Sequence, residues 1–597
     1  MRFLRTAVLL IGTSIAAVHA GAQDAQHAVH YDATKAPEIA SGYTSKTGWT
    51  AQKYMVVAAN PLAADAGYRM LKQGGSAIDA AVATQMVLGL VEPQSSGIGG
   101  GAFMLHFDGK AVQAFDGRET APAAATEKLF QDAGGRPLAF YDAVIGGRSV
   151  GVPGVLRMLE LAHRQHGKLP WKNLFAPAIQ LAEKGFAVSP RLFTLLQDER
   201  FLKKDPVALA YFYDRQGQPW PVGHILKNPE LAKTLRAIAE QGAQAFYAGR
   251  IAQDMVDKVH NHAANPGTLA LRDLADYQAK AREAVCSDFE KWTVCGMPPP
   301  SSGGIAIAQM LGILENTSIR TLPPVNGELN PQAVHLFAEA GRLAYADRER
   351  YIADTDFVPL PGGSFMPLLD KAYLASRAAL ISDKSMGSAK PGTPPGMQVA
   401  WGADHSPELP STSHMSIVDG QGNALSMTTS VEDAFGSRQM VDGFLLNNQL
   451  TDFSALDRDA NGPIANRVQP GKRPRSAMSP TLVLDRQSRQ FVMAIGSPGG
   501  SVIINYVMKV LIGNLDWGLD LQQAINLPNF GSRNGATELE RGRFSDAALD
   551  ALKAKGHNIR IFDQTSGLHG ITRTMVNGKS VLFGAADPRR EGIARGD

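Results

Sequence analysis

The sequence is poor in cysteine, with two among 597 residues, Cys286 and Cys295. Two thiols cannot build a disulfide scaffold, and without adjacent histidines they make a poor zinc site. They flank residues 287–294 in what reads as a hairpin, so opposed positions and an oxidising compartment would pair them. A charge excess is also lacking: 59 Lys and Arg face 56 Asp and Glu. That balance is too even for a nucleic-acid footprint or an adhesive basic surface. Aromatic residues are scarce at 7%, yet 44% hydrophobic and 19% charged residues make a globular composition and exclude a disordered or coiled-coil chain. No stretch of 18 uninterrupted apolar residues occurs, so no segment reads as a membrane span. A largely apolar run, residues 7–18, follows Arg2 and Arg5 and ends in Val18-His19-Ala20. It is too short to span a bilayer and reads as a cleavable export signal over 1–20, which implies a periplasmic or secreted protein. An uncleaved anchor is the alternative.

Glycine and proline are plentiful, 60 and 35 residues without a collagen period, and mark many tight turns. The length allows about four domains or one large α/β body. Residues 21–47 are small and polar and read as a loose leader over the body. The first organised stretch is a pair of alanine-rich helices over 60–75 and 76–91, the second opened by Ser76 with Asp79 three residues on. Two alternating runs around Asp108-Gly109 predict a hairpin. Helical spacing dominates residues 153–281, strand character returns at 284–295, and helices follow from 305 and 331. Residues 385–410 are dense in Gly and Pro and read as an exposed, extended connector.

The segment after that connector is the most informative. Residues 412–419 and 424–430 form two arms around Gly420-Gln421-Gly422-Asn423. A hairpin centred on Gln421 sets Thr412 opposite Ser430, His414 opposite Thr428 and Ser416 opposite Ser426. One face is then hydroxyl-rich, while Met415, Ile417, Leu425 and Met427 belong to a core. Thr412 falls at the sheet's rim beside another hydroxyl. A threonine at the head of a strand suggests one reaction in particular. If the Ser411-Thr412 bond is cut, the new α-amine can take the proton from its own hydroxyl, so nucleophile and base are one residue. Gly499-Gly500, after a strand over 490–495, offers two unobstructed N–H groups for an oxyanion. An ordinary edge hairpin and an ordinary glycine turn are the plain alternatives.

Several motifs follow one another in order: Phe115-Asp116-Gly117-Arg118-Glu119-Thr120-Ala121-Pro122, Met297 to Gly304, Thr412-Ser413-His414-Met415-Ser416-Ile417-Val418-Asp419, Leu445 to Phe453, Lys472-Arg473-Pro474-Arg475-Ser476, Gly496 to Gly500, and Gly584 to Arg589. Together they closely resemble the gamma-glutamyltransferases, N-terminal-nucleophile hydrolases built as an αββα sandwich, from about residue 54 to the end. The resemblance implies an α/β (α+β) body that cuts itself before Thr412. The products would be a large subunit over 48–411 and a small catalytic subunit over 412–597, held together as a heterodimer. It implies no cofactor and no metal. Thr412 would take the glutamyl group of glutathione or another γ-glutamyl amide as an ester, and pass it to water or to an amino acid or peptide. By the same resemblance Arg118 clamps the α-carboxylate with help from Ser476, Asp452 with Gln449 and Glu432 holds the α-ammonium, and Ser430 bonds Thr412. A guanidinium suits that clamp because it presents two parallel donors.

Two departures qualify the resemblance. Many relatives carry a second serine after Ser476, where this sequence has Ala477, which removes one donor to the carboxylate. Residues 454–471 are short and lack an aromatic residue to fold over the pocket. Both leave room for a bulkier acyl donor, so a glutaryl or cephalosporin acylase on the same fold is the rival reading; a non-catalytic, unprocessed binding protein is another. Gly97 to Ala102 fits a dinucleotide fingerprint in letters only, since a helix precedes it and a strand follows. His260 and His262 read as a polar helix end.

Overall fold

Alternation along the strands assigns each face of each sheet to a different partner, and that assignment builds the fold. The computed structural model describes residues 40, 42–397, 401–404, 406, 411–576 and 578–597. One seven-stranded sheet runs, in spatial order, Ile593–Gly596, Met55–Ala58, Thr412–Val418, Ala424–Ser430, Gly101–Phe107, Val112–Gly117 and Lys280–Glu283. The second runs Trp49–Ala51, Lys579–Ala586, His569–Val576, Phe491–Gly496, Thr481–Asp485, Trp292–Gly296 and Val285–Phe289. All the pairings in both are antiparallel.

In the first sheet Val56, Ala58, Ala102, Met104, Met415, Ile417, Leu425 and Met427 pack outward on the helices Pro61–Lys72 and Ala77–Val91. Met55, Val57, Phe103 and Leu105 point the other way, into a core shared with Leu482, Leu484 and Ile495 of the second sheet. That sheet is covered in turn by the helices Gly303–Leu314, Pro331–Tyr351 and Ile503–Leu511. The layering is helices, sheet, sheet, helices, the expected αββα sandwich.

The hydroxyl-rich face of the Thr412 hairpin lies between the sheets. The Ser416 and Ser426 hydroxyls donate to the carbonyls of His569 and Ile495, each at 3.0 Å. His414 bridges Thr428 at 2.9 Å and Ser416 at 3.2 Å. Burial drives the His414 imidazole well below its ordinary pKa, so it sits there neutral. Gly496 faces it without a side chain, since a Cβ there would lie 2.3 Å from the ring.

The strands of the two expected subunits are interleaved. Met55–Ala58 sits between Thr412–Val418 and Ile593–Gly596, and Gly101–Phe107 pairs with Ala424–Ser430. Cys286 and Cys295 are opposed in their hairpin and joined by a disulfide.

Two expectations are corrected. The described end of the leader is tied down: Lys46 Nζ donates to the carbonyls of Asp587, Arg590 and Gly592 at 2.6–2.8 Å. A primary ammonium satisfies three carbonyls at once, and this outweighs the polar composition of the segment. The 385–410 connector is only partly exposed. Gly392 N donates to Asp347, and buried Asp404 pairs with Arg475 at 3.0 Å. The expected signal over 1–20 and most of the expected leader, residues 21–39 and 41, lie outside the described residues. Among those described, no helix is long and apolar enough to cross a membrane.

The helix Ala77–Val91 begins with a reciprocal cap between Ser76 and Asp79. The Asp79 carboxylate also accepts from Lys168 N and Leu169 N, both at 3.0 Å, and faces His163 at 3.4 Å. Asp79→Ala removes the carboxylate half of the cap and strands the N–H groups of Ser76, Lys168 and Leu169, at a cost of about 1–3 kcal/mol. Its melting temperature by circular dichroism should fall clearly below that of the parent; an unchanged value contradicts this role.

Candidate active site

The hairpin register places Thr412 opposite Ser430, His414 opposite Thr428 and Ser416 opposite Ser426. At the rim the chain is continuous through Ser411 and Thr412, and Ser430 gathers three bonds on one oxygen. Its hydroxyl donates to the Ser411 carbonyl at 2.7 Å and accepts from Glu432 N at 2.8 Å and from Thr412 Oγ1 at 3.4 Å. One donor and two acceptor positions are thereby used. Thr412 is 3% exposed. Ser411 Oγ donates to the Gln94 carbonyl, and Ser413 Oγ to Glu92 at 3.0 Å. The run after the helix Ala77–Val91 thus grips the backbone on both sides of Thr412, a role that the sequence did not disclose.

A small cavity opens beside Thr412. It is lined by Arg118, Ser430, Glu432, Gln449, Asp452, Ser476 and Ala477, together with Met478, Gly500 and Ile503. Nearly every residue singled out from the sequence therefore meets in one place, although they span more than half the chain. Gly499 adjoins Gly500 at its edge, and no residue of 454–471 lines it. The enclosed space is about 10 Å³, room for one water.

Arg118 follows the strand Val112–Gly117 and is fully buried. Its guanidinium pairs with Asp452 and donates to the Pro474 carbonyl at 3.1 Å and the Arg475 carbonyl at 3.0 Å. Nη1 makes no hydrogen bond among the described residues and lies 3.9 Å from Glu119. Tyr277 donates to the Arg118 carbonyl at 2.7 Å, and Asp116 accepts from Arg118 N at 2.9 Å and Arg282 Nε at 2.8 Å. Gln449 Nε2 donates to Glu432 at 2.9 Å and Asp452 at 3.1 Å, while its Oε1 makes no hydrogen bond among the described residues. Arg118 and Gln449 both line the cavity, and each keeps one polar atom without a hydrogen bond among the described residues. Glu432 occupies the left-handed region at φ 84°, a strain of about 1–2 kcal/mol for a residue with a Cβ.

Gly499 and Gly500 have φ of 142° and 56°, and a Cβ on Gly499 would lie 2.7 Å from the Tyr506 ring. Side chains are excluded there, and the turn runs directly into the helix Ile503–Leu511. The positive end of a helix dipole therefore faces the cavity.

Three features escaped sequence reasoning. The Pro-rich loop at 298–302 fixes Ser476: Ser476 N donates to the Pro300 carbonyl at 3.0 Å, and Ser302 N and Oγ both donate to the Ser476 carbonyl at 2.7 Å. Lys472 Nζ donates to the carbonyls of Ala465 at 2.6 Å and Arg467 at 3.1 Å, holding the segment that precedes Ser476. Glu119 is fully buried behind Arg118, and burial pushes its carboxyl up to about 8 against the opposing pull of Arg118. Burial thus favours its neutral form, which leaves the charge of Arg118 to Asp452. His262 accepts from Asn265 N at 3.0 Å and belongs to a helix end. Gly99 and Gly100 pack against the carbonyls of Leu445 and Ser430, between the helix Ala77–Val91 and the strand Gly101–Phe107, with no dinucleotide context.

The profile described as Gamma-glutamyltranspeptidase matches residues 63–596. The chain is 35% identical over 579 residues to the glutathione hydrolase proenzyme of Bacillus subtilis (strain 168), covering 95% of both chains. It is 36% identical over 553 residues to the glutathione hydrolase proenzyme of Escherichia coli (strain K12), covering 90% of this chain and 91% of that one. The solved structure of cephalosporin acylase from Bacillus halodurans superposes with a TM-score of 0.79 at 27% identity, over 95% of this chain and 99% of the other. The order of the motifs, the four-layered body and the matched length agree, and the chain belongs to the gamma-glutamyltranspeptidase family.

Proposed function

We propose that the chain matures by cutting itself before Thr412 and then works as a gamma-glutamyl acyltransferase and glutathione hydrolase. The observation that carries this reading is the convergence of Arg118, Asp452 and Glu432 on the cavity beside Thr412, one cation and two carboxylates that fit an α-carboxylate and an α-ammonium on one carbon.

In the uncut chain the Ser430 hydroxyl already polarises the Ser411 carbonyl. The Thr412 hydroxyl attacks that carbonyl, the acyl group of Ser411 moves from nitrogen to oxygen, and water hydrolyses the ester. The cut releases the Ser411 carboxylate and leaves a free α-amine on Thr412, which serves as its base. The two fragments, one ending at Ser411 and one beginning at Thr412, stay together as a heterodimer because their strands share sheets.

In the mature enzyme Arg118 and Ser476 bind the α-carboxylate of the γ-glutamyl group, and Asp452, Glu432 and Gln449 bind its α-ammonium. Substrate charges replace part of the Arg118–Asp452 contact, so neither buried ion is left unpaired. Thr412 Oγ1 attacks the γ-carbonyl while Gly499 and Gly500 N–H groups stabilise the oxyanion. The leaving amine takes a proton from the Thr412 ammonium, and water or an amino acid or peptide then accepts the acyl group. No metal or cofactor enters these steps. The export signal over 1–20 supports a periplasmic or secreted location.

The acylase reading has an observation of its own: Ala477 lines the pocket where a second hydroxyl would serve the carboxylate, and residues 454–471 leave it uncovered. An acylase would dispense with the ammonium partners. Turnover of a γ-glutamyl anilide should exceed that of a glutaryl anilide lacking the α-ammonium; strong preference for the glutaryl compound overturns the assignment. Ala477→Ser should lower KM for the γ-glutamyl anilide about fivefold, worth about 1 kcal/mol, if the lost donor matters.

Denaturing electrophoresis of the purified protein should show two fragments, the smaller beginning Thr-Ser-His-Met, and Thr412→Ala should give one band and no activity. Ser430→Ala should slow scission by about 10²–10³-fold, as removal of one oxyanion donor does. Scission at the parental rate would show that Ser430 only packs the rim.

A further inference from the structure

Outside the Thr412 cavity, two histidines and a glutamate meet in a buried cluster that the proposed reaction does not use. His335 and Glu339 lie one turn apart on the helix Pro331–Tyr351, both 0% exposed, and so share a face. His557 follows the helix Asp546–Ala554 and is 5% exposed. One ligand-type atom from each lies within 4.8 Å of the other two. None of the three lines the Thr412 cavity.

We propose that His335, Glu339 and His557 bind one divalent transition-metal cation of the zinc class, which clips the helix Pro331–Tyr351 to the C-terminal segment.

The hydrogen bonds around the cluster leave the ligand atoms facing inward. His335 Nε2 meets the Ser382 carbonyl at 2.8 Å; a carbonyl only accepts, so Nε2 carries the proton and Nδ1 presents its lone pair. That lone pair faces His557 Nε2 at 2.8 Å. His557 Nδ1 in turn meets Thr537 Oγ1 at 2.6 Å, and Arg342 Nη2 donates to the same oxygen at 2.8 Å. Without a cation, His557 Nε2–H donates to His335 and Thr537 donates to His557 Nδ1. With one, the His557 proton moves to Nδ1 and is received by Thr537, so both inward nitrogens become lone-pair donors and no proton is lost. Two nitrogens on a tetrahedral zinc, each at about 2.0–2.1 Å, stand roughly 3.3 Å apart. The rings need to part by about half an ångström from their present spacing.

Glu339 supplies the third ligand. Its carboxylate accepts from Met386 N at 2.9 Å, Ser385 Oγ at 3.0 Å and Arg342 Nη1 at 2.6 Å, so every ligand is oriented from behind, as metal ligands generally are. Burial lowers the pKa of both imidazoles, that of His557 to about 4, which keeps them neutral. Two imidazoles with one carboxylate suit zinc, cobalt, nickel or copper rather than calcium or magnesium. The Arg342 guanidinium opposes the cation, so affinity falls short of a site without it. Three protein ligands leave a fourth position for water.

The test uses untagged full-length protein, stripped with a chelator and dialysed, in its processed form and as the uncut Thr412→Ala variant. Zinc ion alone is titrated by calorimetry, and cobalt ion alone is followed by its visible absorption. One equivalent should bind to both forms, with the intense visible bands of tetrahedral cobalt, so the result does not depend on whether the chain is cut. Thr537→Val, which removes the acceptor behind His557, should weaken zinc about 10–100-fold. His557→Asn, which keeps a donor toward His335, should lose binding at one equivalent yet retain γ-glutamyl anilide turnover. Should His557→Asn not fold, Thr537→Val decides alone. No binding at one equivalent in the stripped protein, or equal affinity in the folded variants, overturns the proposal and leaves a hydrogen-bonded histidine pair.

Discussion

The pairing of Thr412–Val418 with Ala424–Ser430 in a single register governs the rest of the site. A slip of one residue would turn Thr412 and Ser430 toward the outer helices and bring Met415 and Ile417 between the sheets. The register holds because both faces are committed. Methionine and aliphatic side chains fill the helix side, and on the other the Ser416 and Ser426 hydroxyls bond carbonyls of the second sheet. Removing such hydroxyls would leave buried carbonyls short of partners, a penalty comparable to the bond itself. The position of Thr412 is therefore fixed along its strand by sheet packing.

Much of this could be read from the residues. The turn at Gly420-Gln421-Gly422-Asn423 and the period of two fixed the partners of Thr412, because local turn chemistry and alternation need only neighbouring sequence. The Ser76 cap and the Cys286–Cys295 hairpin were readable for the same reason. Arg118, Asp452 and Ser476 were different. Nothing local marks Arg118 as buried, and only ordered motifs tied these residues to one pocket; the structure joins them through distant carbonyls such as Pro474 and Arg475. The roles of Gln94, Glu119 and the Pro-rich loop rest on backbone groups and burial, which side-chain identity does not announce.

Composition misled in two places. Small polar residues suggested a loose leader, yet one ammonium meeting three carbonyls anchors its end at Lys46. A Gly- and Pro-rich stretch suggested an exposed connector, yet Asp347, Glu339 and Arg475 bind parts of it to the body. In both, a few charge-assisted bonds decide the path of a segment that has no periodicity of its own.

The alternation of early and late strands within one sheet gives the molecule a history that runs in one direction. Met55–Ala58 is wedged between two strands from beyond residue 411, so each product of a cut at that point would lack the ladder partners that shape it. Assembly then has to be completed while the polypeptide is whole. Once severed and fully unravelled, the two pieces would meet as strangers, each offering bare sheet edges to any neighbour. Unfolding of a severed form is accordingly irreversible, whereas the whole polypeptide keeps every ladder partner on one chain.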